Sequence, residues 1–187
     1  MRKQILNACL ITTSLLLCTC SKNPLMVEAP RLDIPHLDKV VVTFIRSSIM
    51  APTTKTGLWD RESFIGELKA RAYIQYETTP GKHLFLASSE VWSYLEANLQ
   101  GGRNYVVKAE VVPGGNSPRI NLEPVVPGGK TTQEDINDWL KNLDGYKPSQ
   151  EVSEEYVRLN LGALKKAVKL YDEDRIVSEV LSPGDAW

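Results

Sequence analysis

The chain has 187 residues, a formal net charge of −1, 24% charged residues and 42% hydrophobic residues. No run concentrates Lys and Arg, which argues against a nucleic-acid partner. All three cysteines, Cys9, Cys18 and Cys20, fall in the first twenty residues. The remainder therefore has neither a disulfide framework nor a thiolate metal site, and it must be held by its core.

Met1-Arg2-Lys3 is a short positive region, followed by the mostly apolar stretch Asn7 to Thr19. Asn7, Thr12, Thr13 and Ser14 interrupt that stretch, and it falls short of the ~20 apolar residues of a membrane span. It reads as a secretory signal peptide over 1–19. Leu17-Cys18-Thr19-Cys20 resembles the lipobox of bacterial lipoproteins, with Cys20 as the residue to be acylated. Cys18 follows Leu16 and Leu17, which are bulky for a cleavage site that selects small side chains. From Cys20 to His36 the sequence carries Pro24, Pro30 and Pro35 and reads as a tether. Leu25, Met26 and Val27 leave open an ordered arm crossing a sheet.

Lys39 to Arg46 is the first strand, apolar on both faces and so covered on both. Gly57 to Arg61 and Ser63 to Leu68 are two short strands. Ala72 to Glu77 alternates, with Ala72, Ile74 and Tyr76 inward. The stretch Thr79 to Val112 reads as a pair of hairpins. Its runs are His83 to Ala87, Trp92 to Leu99 and Tyr105 to Val112, and Gly101-Gly102 forms the central turn at positive φ. Ser89 to Leu99 also fits a helix, but Leu95, Ala97 and Leu99 alternate with Glu96 and Asn98. In the last run Tyr105, Val107, Ala109 and Val111 share one face. Arg119 to Glu123 is a final alternating strand capped by Pro124. Val111-Val112-Pro113-Gly114-Gly115 recurs at Val125 to Gly129, which reads as two strands ending in one kind of turn.

Beyond Gly129 the pattern turns helical. Thr131 and Glu134 form a capping box. Ile136, Trp139, Leu140 and Leu143 line one face, and Gly145 and Pro148 end the helix. A second helix starts near Ser149 or Ser153. Its stripe Val157, Leu161, Leu164, Val168 and Tyr171 is expected to dock in cis. The sequence thus predicts an antiparallel β-sandwich of about seven strands over 37–127, then a helical extension over 131–181.

Chemistry-bearing motifs are few. His36 sits in the tether and His83 in a strand, neither with a second ligand at metal spacing. No Gly-rich loop joins a strand to a helix as a phosphate site requires. Tyr171-Asp172-Glu173-Asp174 lacks the Gly and closing Glu of a calcium loop. No catalytic, cofactor or metal residue is therefore assigned. Trp59 and Trp92 are the possible ligand contacts, as aromatics on which a sugar could stack.

The order of the leader, Trp59-Asp60, Ile65-Gly66-Glu67-Leu68, Thr79-Pro80-Gly81-Lys82-His83, Gly102-Arg103-Asn104-Tyr105 and Ile120-Asn121-Leu122-Glu123-Pro124 resembles the bacterial lipoprotein domain of unknown function 2846. Arg103 stands where Lys is usual, and Asn104 intrudes before Tyr105. The resemblance implies a small sandwich of the PEGA or carboxypeptidase-regulatory-like kind, with no catalytic residues to carry over. The expectation is a lipid-anchored envelope protein on the periplasmic side of the outer membrane, since Ser21 rather than Asp follows Cys20. It would act without catalysis, as a structural or protein-interaction module; glycan or peptidoglycan binding is the alternative.

Overall fold

The computed structural model describes residues 24–32, 35–89, 91–115, 118–173 and 178–187. Cys9, Cys18, Cys20 and the expected cleavage site lie outside them. Eleven strands are described: β1 (Met26–Glu28), β2 (Val40–Arg46), β3 (Thr56–Asp60), β4 (Ser63–Leu68), β5 (Ala72–Thr78), β6 (Gly81–Ala87), β7 (Ser93–Leu99), β8 (Arg103–Val112), β9 (Arg119–Val125), β10 (Asp144–Pro148) and β11 (Glu179–Leu181). Two helices accompany them, α1 (Gln133–Asn142) and α2 (Gln150–Asp172).

The strands form two sheets. The first runs β1-β10-β5-β2-β8-β9 and the second β11-β7-β6-β3-β4. Facing side chains of both sheets meet in one core that includes Phe44, Ile74, Tyr105 and Val107 on one side and Leu58, Phe85 and Leu95 on the other. The arrangement is sandwich-like and mainly β. It is not purely antiparallel: β2 pairs parallel with β8, β10 with β5 and β11 with β7. β2 is buried along its whole length. Its β-branched run sits mid-sheet, covered on both faces, where alternation is not required.

The Gly101-Gly102 turn does not close a hairpin. It carries the chain from β7 in one sheet to β8 in the other. Thr79-Pro80 likewise joins β5 to β6 across the two sheets. The hairpin in this region is β6–β7, registered from Gly81 opposite Leu99 to Ala87 opposite Ser93. Only Gly102 of the pair has positive φ, at 69°. Gly101 is required for a different reason: a Cβ there would lie 1.9 Å from the Leu37 carbonyl oxygen.

Four boundaries differ from the sequence reading. The expected tether contributes β1, whose Met26 packs on the core. Pro124 lies within β9, not after it, and is tolerated because β9 is an edge strand. The capping box of α1 is Thr132 with Asp135, one residue later than expected. Gly145 does not stop α1; it lies inside β10, and Leu143 is the C-cap. A side chain at position 145 would collide with the Tyr73 ring.

The helices cover the outer faces. Ile136, Trp139, Leu140 and Leu143 pack on Ile45, Tyr73, Val106 and Val125 of the first sheet. The α2 stripe packs on Trp59, Leu84, Leu86 and Tyr94 of the second, with Leu164 fully buried. The segment expected as a helical extension thus also supplies β10 and β11, one strand to each sheet.

Candidate functional site

Three polar constellations stand out. The first contains His83. β3 and β6 are neighbours in the second sheet, and they bring Asp60 and His83 to the inner face near one end of it. The His83 Nδ1 lies 2.7 Å from Asp60 Oδ2, and Nε2 lies 2.9 Å from the Thr79 carbonyl oxygen. The Tyr76 hydroxyl of the opposite sheet donates to the same Asp60 oxygen at 3.3 Å. The imidazole also stacks on Phe85, 5.7 Å between centroids. Both ring nitrogens face acceptors, so the doubly protonated ring satisfies both. The Asp60 hydrogen bond accordingly raises the His83 pKa, against an opposing effect of burial. A general base needs a free lone pair directed at its substrate, and here both nitrogens are already engaged. The cluster ties the two sheets together at their polar end.

The second constellation centres on Arg46, which ends β2 and is fully buried. Its Nη1 donates to the Thr54 carbonyl at 2.5 Å, and Nη2 donates to the Met50 and Ala51 carbonyls, both at 2.8 Å. Burial lowers the pKa of its guanidinium. Ala51 is held at a φ of 49°, a conformation non-glycine residues seldom adopt. The loop between β2 and β3 is therefore fixed from beneath. It presents Ile49 and Met50 outward, 67% and 58% exposed.

The third is a groove of about 400 Å³ on the outer face of the first sheet, beside α1. Arg31, Thr43, Gln75, Asn104, Gln133 and Trp187 are among the residues that line it. Thr43 and Gln75 are direct cross-strand partners, and Thr43 is only 3% exposed.

No family model matches the sequence, and no curated protein or solved structure matches it either. The site must be read from its own chemistry.

The residues expected from the sequence fall as follows. Trp59 lies beneath α2, fully buried, stacked 6.1 Å from Tyr156 and 4.9 Å from Phe64. It offers no face to a sugar. Trp92 is half-buried beside the α2 stripe and lines a shallow depression of about 250 Å³ with Asn121 and Glu123. His36 is exposed, and its carbonyl accepts from the Lys39 amide. Asp172, from the acidic run, pairs with Arg61 at 3.3 Å, and Asp174 lies outside the described residues. Arg46, Asp60 and the groove residues escaped the sequence reading. One signal was present: Thr43 and Gln75 are polar at outward positions of strands whose neighbours Ile45 and Tyr73 are apolar.

Proposed function

We propose that this protein is a lipid-anchored protein of the bacterial envelope, acting without catalysis as a protein-interaction module built on a β-sandwich. One observation carries the interaction reading. A buried arginine and a left-handed alanine hold a loop whose two large apolar side chains point to solvent. Burying a guanidinium and straining a backbone both oppose folding. Such an arrangement is reasonable where a preorganised apolar knob meets a partner, because a rigid contact loses little entropy on binding. The spent nitrogens of His83 favour a structural role for the one acid–base cluster described above.

The anchor reading rests on the Leu17 to Cys20 motif and on the resemblance to domain 2846. Among the described residues no helix is long and apolar enough to cross a membrane. With Cys20 acylated, the six peptide steps to Met26 would keep the start of β1 within about 21 Å of the bilayer surface. The folded body would then sit close to the lipid rather than on a long tether.

A photo-crosslinking residue at Ile49 in intact cells tests the interaction. A discrete protein adduct is expected there and not from the exposed Glu134 position on α1. Adducts of equal yield at both positions would defeat the reading. Replacing Cys20 by Ala and labelling cells with a radioactive fatty acid tests the anchor. Loss of label and release from the membrane fraction are expected; retained label with Cys20→Ala would refute it.

A further inference from the structure

We infer that the groove on the outer face of the first sheet binds a neutral saccharide. The floor carries the argument. Around it the outer face is apolar, because α1 covers Ile45, Tyr73 and Val106. Two residues along the same strands from Ile45 and Tyr73, the outward pair changes to Thr43 opposite Gln75. Polar side chains on a covered sheet face cost stability unless their hydrogen-bonding capacity is used.

That capacity is only partly used among the described residues. Gln75 Oε1 accepts from the Leu32 amide at 2.7 Å, and Nε2 donates to Thr43 Oγ1 at 3.3 Å. One Gln75 amide hydrogen and the Thr43 hydroxyl hydrogen have no partner among the described residues. The Asn104 side-chain amide makes no hydrogen bond among the described residues, although its backbone oxygen accepts from the Trp187 amide at 2.9 Å. Gln133, at the first turn of α1, lies on the facing wall.

The apolar wall is equally fixed. Trp187 is fastened at its backbone and at its indole nitrogen, which donates to the Val125 carbonyl at 2.5 Å. Its ring packs with the α1 face. Arg31 is the single charged side chain among the described residues lining the groove. Amides that donate and accept, a hydroxyl, an indole wall and almost no charge suit a ligand of hydroxyls and C–H faces. A pyranose has both, and the volume lies in the ~300–1,000 Å³ range of small-ligand sites. This inference depends on neither the acyl anchor nor the Ile49 loop.

The test uses the full-length protein purified in detergent, with chitotetraose and maltotetraose as probes. Calorimetry should show saturable binding of at least one of them. Asn104→Ala, which removes no hydrogen bond of the described fold, should weaken that binding about tenfold or more without moving the melting temperature. A diazirine-bearing derivative of the bound sugar should label peptides containing Asn104, Gln133 or Trp187 in the unsubstituted protein. The proposal is overturned if neither sugar binds, if Asn104→Ala binds as tightly as the parent, or if the label falls elsewhere. Binding of a neutral tetrapeptide with both sugars inert would also overturn it, in favour of a peptide groove.

Discussion

His83 and Asp60 sit on adjacent strands with 2.7 Å between Nδ1 and Oδ2, and the second nitrogen of the ring meets the Thr79 carbonyl. The folded protein therefore holds the His83 proton more tightly than the unfolded chain does. A raised folded pKa gives stabilisation that is fully present below the unfolded value, near 6.5, and is lost as pH rises through the folded value. Melting of the parent and of His83→Gln, followed from about pH 5.5 to pH 9, should show a gap that narrows with rising pH. A gap independent of pH would mean that the ring contributes by packing on Phe85 alone.

Arg46 gives the second prediction. Arg46→Met keeps the bulk of the stem but removes the side-chain donor to the Met50 and Thr54 carbonyls and one of two donors to the Ala51 carbonyl, which also accepts from the Thr54 amide at 3.0 Å. The carbonyls are part-buried, and an unsatisfied group costs about 1–3 kcal/mol when it is cut off from water, so a loss of about 3 kcal/mol is expected for the set. The loop should also become the first site of limited proteolysis. Urea denaturation and mapping of the first cleavage check both effects; an unchanged midpoint and an intact loop would show that Arg46 is dispensable.

The two central glycines should differ in cost. Gly101→Ala drives a Cβ into the Leu37 backbone, which cannot move as a side chain can. Gly102→Ala adds left-handed strain, worth about 1 kcal/mol, and meets mainly the movable Leu37 side chain. Gly101→Ala should therefore be the more destabilising, by about 2–3 kcal/mol relative to the parent. The reverse order in chemical denaturation would show that conformation, not close approach, governs this turn.

Leu164 tests the docking of α2. It is fully buried against the second sheet, so Leu164→Ala should cost about 2–5 kcal/mol. Leu159, on the exposed face of the same helix, should tolerate alanine within about 0.5 kcal/mol. Equal effects at the two positions would place the helix face elsewhere.

Local pattern alone located most of the strands, because period-two alternation and turn residues are properties of neighbours in sequence. β5 and β8 were legible this way and β2 by its continuous apolar run, as were the apolar faces of α1 and α2, whose 3.6-residue stripes match the residues that now cover the sheets. The capping box was legible to within one residue, since Thr131 and Thr132 each precede an acid by three positions.

What the tertiary structure decided is which strands pair, and what lies over them. A Gly-Gly turn has similar local chemistry whether it folds a hairpin or crosses between sheets; only the central place of β2 beside β8 separates the two. Short segments such as Met26–Glu28 and Glu179–Leu181 carry too little pattern to announce a strand, and they form by adding to the edges of existing sheets. Trp59 followed the alternation of its strand, but burial depends on α2, nearly one hundred residues later. Arg46 gathers carbonyls from its own loop, four to eight residues on, whereas the Asp60–His83–Tyr76 cluster and the polar row of the groove unite residues distant in sequence. Hydrogen bonds of that kind depend on the pairing of sheets, which no single segment encodes.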